Sequence, residues 1–90
     1  MTDVIDNKAM QRFELNVEDH IAAAYYAIAG NVITFTHTEV PKELEGKGIA
    51  SKLIKGALDQ VRARKLKVIA QCPFVHAYMG KHPEYNDLLK

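Results

Sequence analysis

Polar and apolar residues alternate from Ala9 to Val17, with Phe13, Leu15 and Val17 on one side and Arg12, Glu14 and Asn16 on the other. A period of two reads as a strand with one wet face. Residues 20–29 are apolar on both faces, and the paired tyrosines and the Gly30-Asn31 turn favour a hairpin strand over a helix there. Val32 to Val40 reads as a β-branched strand carrying Thr34, Thr36 and Thr38, and the three runs predict an antiparallel meander. The period then changes. Ile49, Ala50, Leu53, Ile54, Ala57, Leu58 and Val61 recur at spacings of three and four, the single apolar stripe of a helix. Lys52, Lys55, Asp59 and Arg62 fall on its solvent side. Arg62, Arg64 and Lys65 complement the dipole of its last turn and read as a solvated face.

Leu66 to Ala70 reads as a short buried strand. Pro73 suits the first position of a second helix, with Cys72 as its N-cap and Phe74, Ala77 and Tyr78 on a shared face. His82-Pro83 closes that helix, because the residue before proline disfavours helical backbone. Glu84 to Leu89 reads as a last helical turn, and the polar residues 1–7 as a frayed end. The expectation is one α+β domain over residues 1–90, in the order β-β-β-α-β-α, built on a mixed and mainly antiparallel sheet.

Composition narrows the function classes. A formal net charge of +1 argues against a dedicated nucleic-acid binder, which needs a clustered excess of Lys and Arg. One cysteine allows no internal disulfide. The first ten residues hold two aspartates and no apolar block, unlike a signal peptide, and no apolar run approaches the ~20 residues of a spanning helix. A cytoplasmic protein without membrane contact, a monomer or weak dimer, is the expectation.

Candidate chemistry gathers between Thr38 and Ser51, where a β-like run meets the long helix. Gly46 and Gly48 let backbone N–H groups approach an anion, and the helix N-terminus favours phosphate beside them. Lys47 adds a cation inside the turn, so a pyrophosphate fits. The signal is short. The G-x-x-x-x-G-K-[ST] spacing is absent, G-x-G-x-x-G fails at Ser51, and Gly-Lys-Gly alone also reads as a plain turn.

Its surroundings carry more. Phe-Thr-His-Thr-Glu-Val-Pro (35–41), Gly-Lys-Gly-Ile-Ala-Ser (46–51), Cys-Pro-Phe-Val (72–75) and His-Pro-Glu-Tyr (82–85) occur in that order. Together they resemble a small, truncated branch of the Gcn5-related N-acetyltransferase superfamily, over roughly Phe13 to Tyr85. That superfamily's acetyl-CoA loop reads [RQ]-x-x-G-x-[GA], here Glu45, Gly46, Lys47, Gly48, Ile49 and Ala50. Position 45 departs from it, and an acid beside a pyrophosphate weakens binding unless its side chain turns outward. The resemblance implies acetyl-CoA (coenzyme A) as acyl donor and an unidentified amine or protein as acceptor. It further implies that N–H groups of residues 46–51 take the pyrophosphate, and that backbone near Thr38, Glu39 and Val40 pairs with the pantetheine arm. The thioester would then lie close to Cys72 and Tyr78. The helices that usually frame the acceptor pocket are missing.

Four residues are candidates for chemistry. A thiol at a helix start faces the positive end of the dipole, so Cys72 can accept an acyl group; it serves equally as a small buried filler. His37, near the end of the strand that feeds the loop, suits a general base or a hydrogen-bonded sheet histidine. Glu39 points to the same face two residues on, as a reserve base or a solvated carboxylate. Tyr78, by resemblance, could protonate the leaving sulfur, or act as a core aromatic. Cys72 and His76 stand four apart, but two further zinc ligands at suitable spacing are lacking, so no metal is expected. The reading is an acetyl-CoA-dependent acyltransferase that works directly or through acyl-Cys72. The alternatives are a non-catalytic acetyl-CoA-binding module that contacts a protein, and an interaction domain with no ligand.

Overall fold

A computed structural model describes residues 4–90 of the chain. Its strands are β1 (Ile5–Asn7), β2 (Arg12–Val17), β3 (His20–Ala29), β4 (Val32–Glu39) and β5 (Lys67–Ala70). The helices are α1 (Ile49–Ala63) and α2 (Pro73–Lys81), with 3₁₀ turns at Lys42–Leu44 and Pro83–Leu88. The strands form one sheet in sequence order, antiparallel through β4, and β5 joins β4 in parallel. Parallel pairing needs a crossover, and α1 supplies it.

Strand register decides the core. Phe13 pairs with Ala24, Leu15 with Ala22, Tyr26 with Phe35 and Ile33 with Val68, so these side chains share one face. Against that face α1 lays Leu53, Ile54, Ala57, Leu58 and Val61, all fully buried, and α2 adds Val75 and Met79. Burying each large apolar side chain gains roughly 1.5–3 kcal/mol. That gain explains why the stripe of α1 fixes the helix on the sheet. Only Ala50 departs from the expected stripe, lying half buried at the loop.

Several expectations need correction. The strand expected from Ala9 begins at Arg12, because Lys8–Gln11 make a turn in which Gln11 has φ 52°. Ile5–Asn7 are paired with β2 rather than frayed; Met1–Asp3 lie outside the described residues. The order therefore gains a strand at its start. β5 is not buried throughout: Val68 is enclosed, while Ile69 is exposed on the other face. On α2 the buried residues are Val75, Tyr78 and Met79, and Phe74 and Ala77 face outward. A spacing of three and four from Val75 outcompetes the shorter Phe74 pattern, because the helix sits on β4 and β5 by that face.

One irregularity positions the functional end. Tyr25 pairs with His37 and Tyr26 with Phe35, so Thr36 is an extra residue, a β-bulge. Before it Ile33 and Phe35 face the helices; after it Thr38 does, and His37 and Glu39 turn to the opposite face. β5 accompanies β4 only as far as Phe35, where the Cys72 N–H donates to the Phe35 carbonyl (2.9 Å). Beyond that bond β4 and β5 no longer pair, and Thr36–Glu39 keep only β3 as a partner strand.

Candidate functional site

The loop after β4 is built from two left-handed glycines. Gly46 has φ 81° and Gly48, the N-cap of α1, φ 71°. Residues with a Cβ avoid that region, so the sequence needs glycine at both positions. The turn leaves the N–H groups of Ile49, Ala50 and Ser51 ahead of the first helical bond, from the Lys52 N–H to the Gly48 carbonyl (3.2 Å). Among the described residues no side chain caps them, and the first turn of α1 holds no acidic residue. An anion would meet three donors and the positive end of the dipole there.

These groups line a groove of about 220 Å³ with Val40, Leu44, Glu45 and Phe74. Enclosed ligand sites run to ~300–1,000 Å³, so this groove has room for only part of a long molecule. Glu45 stands exposed on its rim. Lys47 turns away from the groove to Glu18 in the β2–β3 turn, at 3.1 Å, in an exposed ion pair. The sequence reading set Phe74 on a buried helix face and passed over Leu44, an isolated leucine with no periodic signal, so neither was expected in the groove.

Two residues deeper than Val40 and Phe74, Thr38 Oγ1 lies 3.3 Å from Cys72 Sγ. Cys72 is 3% exposed and belongs to the apolar core. As expected it is the N-cap of α2, yet its sulfur does not cap the helix and meets Thr38 instead. Thr38 and Cys72 thus meet on the helical side of β4, just past its last pair with β5.

His37 and Glu39 stand on the other face of β4. His37 stacks on Tyr25, with centroids 4.3 Å apart and planes 10° apart, and its Nε2 is 3.4 Å from a Glu39 carboxylate oxygen. Arg12 donates to the Tyr25 hydroxyl (2.8 Å) and pairs with Glu14. The shared face of His37 and Glu39 is as expected, but the bulge places a strand backbone between His37 and Cys72. Tyr78 is not in the groove. It lies on the buried face of α2, about 9 Å of helical rise beyond Cys72, stacked on His82 (4.1 Å) and next to Tyr85. Burial raises its pKa, so the phenol stays protonated at neutral pH.

The sequence pattern of the family described as GCN5-related N-acetyl-transferase matches residues 12–88. The chain belongs to this family. It is similar to Protein NATD1 of Gallus gallus and of Mus musculus, 34% identical to each over 65 residues, which are 72% of this chain and 59% of each relative. The chain thus spans about three fifths of the length of those curated relatives. The NMR solution structure of a GCN5-like protein from Staphylococcus aureus superimposes with a TM-score of 0.74 at 27% identity, covering 98% of this chain and 87% of that one. The five-stranded, mostly antiparallel sheet with its helices is therefore the fold of the family. No helix among the described residues is long and apolar enough to cross a membrane.

Proposed function

We propose that the chain binds acetyl-CoA in the groove between the β4–α1 loop and α2, and transfers the acetyl group to an amine. One observation carries the reading: left-handed Gly46 and Gly48 hold the Ile49, Ala50 and Ser51 N–H groups free at the groove beside the end of β4, past its last pair with β5. The diphosphate takes those N–H groups, and the pantetheine arm pairs with backbone at Thr38, Glu39 and Val40. Its sulfur end then reaches Thr38 and Cys72. The family supports the donor, since its members are N-acetyltransferases by description.

In the two-step route the Cys72 thiol gives up its proton and its sulfur attacks the thioester carbonyl carbon. A new C–S bond forms at Cys72, the bond to the coenzyme sulfur breaks, and the coenzyme leaves as the thiol. The amine then attacks acyl-Cys72, forming the amide and returning the thiol. In the direct route the amine attacks the thioester itself. His37, the candidate base, lies across the β4 backbone from Thr38 and Cys72, so in this route it takes the amine's proton before the amine reaches the thioester. Tyr78 meets the protonation state that an acid for the leaving sulfur requires, but its stacking on His82 holds it in the interface of α2 with the final 3₁₀ turn.

A non-catalytic acetyl-CoA-binding module is the second reading, favoured by the Glu45 carboxylate on the groove rim. Mass spectrometry after incubation with acetyl-CoA separates the two. An acetyl adduct on Cys72 with release of CoA, absent from Cys72→Ala, supports the two-step enzyme. CoA release with amine that survives Cys72→Ala supports direct transfer. Binding without CoA release from either protein supports the module, and no binding ends both readings.

A further inference from the structure

We propose that Glu18, in the turn between β2 and β3, sets acetyl-CoA affinity by holding Lys47 off the groove until the coenzyme diphosphate takes the ammonium from it. The inference rests on the acetyl-CoA reading and adds to it a positioning residue that touches no part of the coenzyme.

β3 outruns β4. Its ladder with β4 reaches no further than Ala23 opposite Glu39, so His20, Ile21 and Ala22 pair with β2 alone. They carry their turn past the end of β4 and beside the β4–α1 loop. There Lys47 Nζ lies 3.1 and 3.4 Å from the two Glu18 carboxylate oxygens. Val17 pairs with His20 across a two-residue turn, in which Glu18 has φ 51° and Asp19 φ 65°. A hairpin turn with both residues left-handed follows the strand twist and favours Asn, Asp or Gly. Asp19 meets that preference and Glu18 does not. A residue that its own backbone disfavours needs a reason from outside the turn, and the ion pair with Lys47 supplies one.

The pair is suited to exchange. Gly46 and Gly48, on either side of Lys47, line the groove, so the lysine stem is rooted at the mouth while its ammonium is turned away. The Lys47 and Glu18 side chains are 47% and 65% exposed, and an ion pair so open to water is weak and screened by salt. A diphosphate brings two negative charges against the one on Glu18. It also meets the free N–H groups of residues 49–51 and the positive end of α1, which hold it within reach of Lys47. The flexible stem lets the ammonium change partners without moving the glycines that flank it. Coenzyme binding thus breaks the pair, and the Glu18 carboxylate returns to water.

The test is an acetyl-CoA titration of the full chain at low salt, by calorimetry, on wild type, Glu18→Gln, Lys47→Gln and the double variant. Glutamine keeps the length and backbone preference of residue 18, so thermal melts should barely move. Glu18→Gln is expected to tighten acetyl-CoA binding about 3-fold, the scale of an exposed ion pair, and Lys47→Gln to loosen it by a similar factor. With Lys47 already replaced, Glu18→Gln should change nothing. In isotopically labelled wild type, acetyl-CoA should also shift the Glu18 and Asp19 amides, and in Lys47→Gln leave them in place. Weaker binding by Glu18→Gln would make the pair a brace for the loop and overturn the exchange. An equal gain in the Lys47→Gln background would overturn it too, because the carboxylate would then act from a distance. Unchanged affinity in Glu18→Gln, or unmoved Glu18 and Asp19 amides at saturation, has the same consequence. Absence of acetyl-CoA binding in every variant sinks the proposed function itself, whereas binding that shifts residues 46–51 without this coupling sinks the exchange alone.

Discussion

The Thr38 hydroxyl lies 3.3 Å from the Cys72 thiol, bridging β4 and the start of α2 just past the point where β4 and β5 stop pairing. The contact exists because the bulge at Thr36 turns Thr38 toward the helices. It gives the buried sulfur its polar neighbour in an otherwise apolar setting. Thr38→Val keeps the shape and removes the hydroxyl, at a stability cost of about 1 kcal/mol. The expected outcome is a fall of ~10-fold or more in acetyl-adduct formation with little change in acetyl-CoA affinity, read by mass spectrometry and calorimetry.

The groove depends on backbone conformation. At Gly48, φ is 71°, and an added Cβ would meet no described atom within 4 Å. Gly48→Ala therefore costs strain alone, roughly 1–2 kcal/mol. Its methyl group would nevertheless stand at the mouth of the three free N–H groups. Thermal melts should show the modest loss, and acetyl-CoA titration a much larger drop in affinity than the stability change implies.

Glu45 sets the charge of the groove rim. A unit charge about 4 Å from a phosphate oxygen is worth about 1 kcal/mol in water, more where solvent is excluded. Glu45→Gln is expected to tighten acetyl-CoA binding by about 5-fold at low salt, and less at high salt because exposed charges are screened. Equal affinities at both salt concentrations would show that the carboxylate points clear of the diphosphate.

Gly56 answers to the N-terminal strand. A Cβ there would stand 2.4 Å from Val4 Cγ2, in a segment held by Gln60 Nε2 to the Val4 carbonyl (2.7 Å) and Arg64 to Asp6 (2.7 Å). Alanine ordinarily stabilises a helix interior over glycine by ~0.5–1 kcal/mol. Here Gly56→Ala is expected to lower stability by displacing Val4, and to raise it once Val4→Gly clears the space. Denaturant melts of the single and double variants check the change of sign.

Stability should decline at both ends of the pH scale. Burial tends to raise the pKa of Asp59, but hydrogen bonds from Tyr85 and Lys55 outweigh it and hold the carboxyl below its usual value. Arg62 holds Asp87 low in the same way. Lowered carboxylates contribute stability above their unfolded pKa, near ~4, and lose it as pH falls through the folded value. Both are substantially exposed, so this limb is shallow. Burial and a hydrogen bond to Asp6 push Tyr26 up to about 12, so its contribution is whole below pH ~10 and disappears as pH rises through about 12. Melting temperature against pH should show both limbs, with Asp59→Asn reducing the acid one and Tyr26→Phe the alkaline one.

Much of this was legible along the chain. The period of two in Arg12–Val17, the stripe from Ile49 to Val61 and the Cys72-Pro73 helix start each became the expected element. Alternation and helical spacing report which side chains leave water, and burial of those side chains is what holds the elements in place. Ile5–Asn7 was missed because a three-residue edge strand has no period of its own; its pairing with β2 and the clasp of Asp6 by Arg64 make it.

The sequence alone determined the α+β class, the turn at Gly46 and Gly48, and the shared strand face of His37 and Glu39. Tertiary structure decided how they face. A single inserted residue, Thr36, reverses the sides of β4, sending Thr38 to Cys72 and His37 to Tyr25. Alternation fixes sides only while pairing is unbroken, and whether a strand bulges depends on its neighbour's register, which no single stretch of the chain contains.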